Sequence, residues 1–214
     1  RKGHGQRVRD LDLSGIHSFT SAFAWSGPGQ RVQTIHELPW RHGCQENAGW
    51  RHRFWASLGA RRADGVVTAS KIVADEIGLN RSGNSNKLHV IPWGVDGTFF
   101  AEPPDGVIDE VLLGTYSLPE RPLLLCPGAV REKKNLGALL RGVAELVARK
   151  GPVVQIVITG PDTPDLRTSL GLAQQLGLGR FISTPGNIEQ EHLPGLMRLA
   201  SVVPVLSHSE GFAL

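Results

Sequence analysis

The sequence predicts an α/β protein built on parallel sheets, and three observations carry the prediction. From Arg121 onward, short apolar runs alternate with amphipathic stretches, the sequence form of repeated β-α-β units. Residues 153–159 are β-branched at every position but Gln155, as expected of a strand covered on both faces. Before Arg121 the same grammar recurs less regularly, and residues 94–119, rich in Pro, Gly and Asp without a sustained period, separate the two halves. The expected domains are 1–111, which includes this linker, and 112–214.

In the first half, strands are expected at 32–36, 65–68 and 88–92, with one more closing at 16–18, and helices at 47–60 and 69–79. In the second half, Leu123 to Cys126 reads as a strand. The following helix sets Leu139, Leu140, Val143, Leu146 and Val147 on one buried face, with Arg141, Glu145 and Arg149 on the wet one, and Gly151-Pro152 stops it. Strand 153–159 ends at Gly160-Pro161. A helix over 165–176, a strand over 181–183, a helix over 189–200 and a strand over 202–206 complete four strands and three helices.

Composition bounds the class. With 214 residues, 40% hydrophobic and 20% charged, the chain reads as an ordinary globular protein. No apolar run approaches the roughly 18–20 residues that span a bilayer, and the charged opening from Arg1 to Asp12 lacks a signal peptide's hydrophobic region. The expectation is a cytoplasmic protein whose natural N-terminus is missing. Cys44 and Cys126 stand alone in different halves, with no Cys-x-x-Cys or His cluster, so free thiols are expected and no zinc site. The first 100 residues hold 13 Lys/Arg against 8 Asp/Glu and all five tryptophans, so the halves are expected to do different jobs.

Two segments carry candidate chemistry. Strand, tight loop and helix over 123–150 form a common anion-binding device, because unsatisfied N–H groups and the positive helix end face the loop. Gly128 permits close backbone approach, and Lys133-Lys134-Asn135 sets two cations where a diphosphate would sit. Taken alone, a solvated charged loop is the commoner reading of Arg131, Lys133 and Lys134. The second segment, Ser207 to Leu214, follows an expected strand end, where open α/β sheets line their ligand crevice. There Glu210 can accept two sugar hydroxyls and the amides after it can hold a phosphate oxygen, although a Glu-Gly pair taken alone reads as a surface loop.

In this order and at these separations, a set of short motifs resembles the group 1 family of retaining glycosyltransferases, which have the GT-B fold of two Rossmann-like domains. They are Thr34-Ile35-His36-Glu37-Leu38, Ala63-Asp64-Gly65-Val66-Val67-Thr68-Ala69-Ser70, Lys87 through Asp96, Pro127-Gly128 through Leu136, Val157-Ile158-Thr159-Gly160-Pro161, Leu193 through Ala200, and Ser209 through Leu214. The resemblance implies transfer of a sugar from a nucleoside diphosphate sugar to a carbohydrate or lipid-linked acceptor hydroxyl, in cell envelope polysaccharide biosynthesis. It implies Lys133 and Lys134 on the donor diphosphate, so that no metal or other cofactor is required. It further implies Glu210 and His36 at the transferred sugar, Gly211, Phe212 and Ala213 as backbone contacts, and Gly186 where the nucleotide base packs. Ala129 stands where many members have arginine, and Ala213 where glycine is usual. The second glutamate of the family's pair would fall beyond Leu214, so both domains are expected to be incomplete and the fragment inactive by itself.

Other classes fit less well. A nucleotide-sugar epimerase shares paired Rossmann-like domains but not the lysine loop followed by Glu210-Gly211-Phe212. A basic nucleotide- or nucleic-acid-binding module lacks an aromatic RNA motif and is only mildly basic at a net charge of +3. No Gly-x-Gly-x-x-Gly follows a strand, which sets aside nicotinamide dehydrogenases. Residues 47–60 put Trp50, Phe54 and Leu58 at helical spacing among arginines. Such a helix can touch an anionic membrane peripherally, but packing of that stripe on the first sheet is the favoured reading. Asp10-Leu11-Asp12 and the sequon Asn80-Arg81-Ser82 are set down to chance.

Overall fold

The computed structural model describes residues 14–19, 29–38, 50–78, 85–100, 107–119 and 122–212. Contacts divide the chain into two compact units, one of residues 1–94 with 209–214 and the other of residues 95–208.

The first unit holds a parallel sheet in the order β1-β2-β3-β4, from β1 (Gly15–Ser18), β2 (Gln30–Thr34), β3 (Gly65–Thr68) and β4 (Leu88–Val90). Ile35 prolongs the β2 pairing by donating its amide to the Val67 carbonyl at 2.8 Å. The unit also holds helix α1 (Trp50–Arg62) and helix α2 (Lys71–Ile77). Helix α2 opens on Ser70, whose hydroxyl accepts the Val73 amide, and stops at Gly78 with φ 74°, a left-handed cap glycine adopts freely.

Helix α1 corrects the expected packing. Ala56, Gly59, Ala60 and Ala63 form the buried face, while Trp50 is 77% and Phe54 53% exposed. Small side chains at i, i+3, i+4 and i+7 let the helix backbone approach closely, and bulky rings on that face would hold it off. The aromatic spacing is helical, but the rings lie on the exposed face.

The second unit holds β5 (Leu123–Cys126), β6 (Gln155–Thr159) and β7 (Ile182–Gly186), parallel and in that order. All five residues of β6 are buried, as its two-sided apolar character requires. Helices α4 (Leu136–Ala148) and α5 (Pro164–Gln175) cover one face through a core of Leu140, Val143, Ile156, Ile158, Leu166 and Phe181. Leu140 is fully buried, so Leu140→Ala is expected to cost about 2–5 kcal/mol. Urea unfolding would read this as a lower midpoint at an unchanged slope.

Three expectations for this half need correction. The linker contains helix α3 (Val107–Thr115), which buries Leu112 against Leu118, Leu125, Val157 and Leu196 on the other face of the sheet. The helix expected over 189–200 starts only at α6 (Leu193–Leu199), with Pro194 in its first turn, and residues 190–192 before it form a turn in which His192 donates to the Glu189 carbonyl and Leu193 to the Gln190 carbonyl. The strand expected over 202–206 is a single parallel bridge, Leu124 to Val202. Val202 donates to Leu123 and accepts from Leu125, but Pro204 has no N–H with which to continue the ladder.

Candidate functional site

In the second unit the carboxyl ends of the three strands are tied into a row. Gly128, two residues past β5, has φ 77°, and its amide donates to the Thr159 hydroxyl at 3.0 Å. Gly160 follows with φ 105°, and a Cβ there would stand 2.8 Å from Gly128 C and Ala129 N. Only glycine fits so close an approach of two loops. The Gly160 amide in turn donates to the Gly186 carbonyl at 2.7 Å. This is the edge at which open α/β sheets bind ligands.

The loop from Pro127 to Asn135 is built on that edge. Thr163, 5% exposed, donates its hydroxyl to the Val130 carbonyl at 3.0 Å while accepting the Leu166 amide as the cap of α5. Glu132–Lys134 then makes one 3-10 turn, and Asn135 turns left-handed at φ 53° and ψ 40° to launch α4. Asparagine tolerates that conformation better than most residues. Its side chain makes no capping bond, so the first-turn amides of α4 keep their pull on an anion. The Lys134 ammonium folds back to donate to the Pro127 carbonyl at 2.8 Å and stands 3.4 Å from where a Gly128 Cβ would be. Lys133 offers its carbonyl to the His208 amide at 2.9 Å, which fixes the segment after the bridge against the same loop.

Cys126, at the end of β5, is a free thiol that burial pushes up to about 11, with the Lys134 charge pulling the other way. The native state therefore holds this proton more tightly than an unfolded chain, whose thiol titrates near 9.0. Its contribution to stability is complete below that pH and falls as pH rises toward about 11. The native thiol is expected to resist iodoacetamide at pH 8, and alkylation timed with and without urea checks this.

In the first unit, His36 lies two residues past β2 and is exposed. Its Nε2 donates to the Phe19 carbonyl at 3.0 Å, since a carbonyl can only accept, and its ring lies 5.4 Å from that of Trp93. Gly211 comes so close to this strand end that a Cβ on it would run into the His36 carbonyl and press on Glu37. Two expected site segments, the His36 strand end and the backbone after the half-buried Glu210, therefore meet. Phe212 is 36% exposed, and Ala213 lies outside the described residues, as do Cys44, the Asp10-Leu11-Asp12 triplet and the sequon.

Gly128, Lys133, Lys134 and Gly186 thus share one sheet edge, and His36, Glu210 and Gly211 come together in the other unit. Gly186 is the last residue of β7, a strand that runs on past the expected 181–183. Sequence reasoning gave no role to Thr159, Thr163 or Asn135, the residues that shape the loop. The Thr-Gly-Pro grouping at Thr159 and the Asn-before-helix pattern at Asn135 were the available signals. Among the described residues, no three His, Cys, Asp or Glu side chains gather as metal ligands, and no helix is long and apolar enough to cross a membrane.

Two α/β units with parallel sheets, one bearing a cationic strand-turn-helix junction, have the GT-B glycosyltransferase fold. A solved structure with this architecture, the Anabaena protein HepE in complex with UDP-glucose, superposes with a TM-score of 0.69 over 86% of this chain and 48% of its own, at 16% identity. Residues 116–214 match the family model described as glycosyl transferases group 1. Among curated relatives, the GDP-mannose-dependent alpha-(1-6)-phosphatidylinositol monomannoside mannosyltransferase of Mycolicibacterium smegmatis is 28% identical, covering 94% of this chain and 54% of that protein. The D-inositol 3-phosphate glycosyltransferase of Xylanimonas cellulosilytica is 28% identical over 71% of this chain and 37% of that protein. The chain spans between about a third and just over half of these relatives' lengths.

Proposed function

We propose that this chain is the core of a retaining glycosyltransferase that moves a sugar from a nucleoside diphosphate sugar to an acceptor hydroxyl. The observation that carries the reading is the junction between β5 and α4. There the Lys134 ammonium folds back beside Gly128, and α4 begins two residues later with no side-chain cap.

As the anomeric carbon parts from the donor, negative charge grows on the departing diphosphate and positive charge on the sugar ring. A cation and helix amides already held in place stabilise that leaving group without reorganising, which is where catalysis by fixed dipoles is strongest. Lys134 and Lys133 neutralise the diphosphate, and the start of α4, which no side chain caps, adds its first-turn amides. Gly186 marks the edge where the base lies. In the other half, His36 and Glu210 contact the transferred sugar, with the backbone of Gly211 and Phe212 beside them. His36 is well prepared for this, because the Phe19 carbonyl sets its ring orientation.

The proposed acceptor is a carbohydrate or lipid-linked hydroxyl on an anionic molecule, met at the cytoplasmic face of the membrane. In its favour stand the basic first half and the phosphate-bearing acceptors in the names of the two curated relatives.

The direct test is turnover by the parent protein with UDP- and GDP-sugars and a phosphoinositol acceptor, followed by proton NMR of the new glycosidic bond. A product with the donor's anomeric configuration is expected. An inverted product, or sugar transfer undiminished in the Lys134→Ala variant, would overturn the mechanism.

A further inference from the structure

We infer that Tyr116 is a positioning residue for the nucleotide-base subsite, an inference that rests on the donor-site reading above. Tyr116 follows the last turn of α3, outside every motif named so far, and three features fix it. Its amide donates to the Leu112 carbonyl at 3.1 Å, and the chain then reverses at Ser117 with φ 51°, a left-handed turn in a residue that is not glycine. Leu112 is locked in turn on α6, where a Cβ on Gly195 would run into its side chain.

From this anchor the phenol reaches the loop between Gly186 and α6. Its oxygen accepts the Glu189 amide at a long 3.4 Å and lies 2.7 Å from His192 Nδ1, with the two rings edge to face at 5.7 Å. One hydroxyl can satisfy both partners. It accepts the Glu189 amide and, when His192 carries its proton on Nε2, donates its own proton to Nδ1. Ile188, directly before Glu189, packs into the cluster of Leu112, Leu118 and Leu196.

The loop is therefore tied at Gly186 by the Gly160 amide and, farther on, by the Tyr116 hydroxyl. Gly186 itself has φ 82° and open space where its side chain would be. A base stacking along this edge meets a backbone whose course is set from behind by a residue that does not touch it. The diphosphate end, at Gly128 and Lys134, depends on Thr159 and Thr163 instead.

The two ends of the donor should thus respond separately to substitution. In the Tyr116→Phe variant the ring and its packing remain, and only the hydroxyl goes. Calorimetric titrations with UDP, GDP and inorganic pyrophosphate are compared with wild type. The Kd of whichever nucleoside diphosphate the wild type binds is expected to rise about three- to tenfold, the worth of one neutral hydrogen bond, while the Kd of pyrophosphate stays unchanged. A conservative His192→Gln variant, which keeps an acceptor for the phenol, is expected to fall between the two. Unchanged affinity for all three ligands in Tyr116→Phe, or an equal loss for pyrophosphate, overturns the inference while leaving the donor site standing. Wild-type protein that binds neither a nucleoside diphosphate nor pyrophosphate overturns the donor-site reading, and the role of Tyr116 with it.

Discussion

Replacing Lys134 with alanine is expected to weaken binding of UDP or GDP by about ten- to a hundredfold, because a charge-assisted hydrogen bond to a phosphate oxygen contributes on the order of 1.5–3 kcal/mol. The ammonium that does this is already held at the site by the Pro127 carbonyl, 2.8 Å away, so little side-chain entropy is lost on binding. The same bond means that the variant also leaves a part-buried carbonyl without its donor, at a stability cost of about 1 kcal/mol. The two effects separate readily. Thermal unfolding without ligand reports the second, and the salt dependence of the nucleotide Kd reports the first, since raising ionic strength weakens the wild type more than the variant. Lys134→Arg keeps the charge but not the compact head that fits over Gly128, so an intermediate affinity is expected.

Gly160→Ala is expected to be the most destabilising single change at this edge, at about 2–4 kcal/mol, from two causes that add. The backbone stands at φ 105°, where an L side chain is strained, and the new Cβ would meet Gly128 C and Ala129 N, which are main chain and cannot swing away. Relief requires the loop after β5 to move off the loop after β6, and that breaks the bond from the Gly128 amide to Thr159. Gly186→Ala is the internal comparison. Its φ of 82° is also left-handed, but nothing lies within 4 Å of the added carbon, so only the backbone strain of about 1 kcal/mol remains. Denaturant unfolding of the two variants side by side measures the difference. Equal losses would mean that the close approach of the loops does not matter.

Much of the fold was legible in the sequence because its signals are periodic and local. Leu123 to Cys126 and Gly65 to Thr68 are strands over the expected residues, and the apolar spacing from Leu139 to Val147 belongs to a real helix that begins three residues earlier. The misses have tertiary causes. Helix α3 was hidden in a segment that looks like a linker, since its burial depends on Leu196 and Val157, far along the chain. The strand expected over 202–206 failed at Pro204, whose missing donor was outweighed in the reading by its four apolar neighbours. Helix α1 was found but turned over, because aromatic residues were expected inside and the close approach of Ala56, Gly59 and Ala60 took precedence.

The candidate site shows the same division. Glycines and lysines at strand ends announce themselves, so Gly128, Lys133 and Lys134 could be named from the chain alone. What holds them is invisible there. Thr159 and Thr163 look like any strand-end and helix-cap threonines until their hydroxyls are seen on Gly128 and Val130. Asn135 reads as an ordinary polar residue until its left-handed backbone is seen to aim the start of α4.

Amide hydrogen exchange with and without saturating UDP or GDP tests most directly whether the junction of β5 and α4 holds the donor diphosphate. Slowed exchange concentrated at Gly128 through Gly137, and lost in the Lys134→Ala variant, is the predicted result. Nucleotide binding that leaves those amides unprotected, with protection elsewhere in the chain, would contradict it.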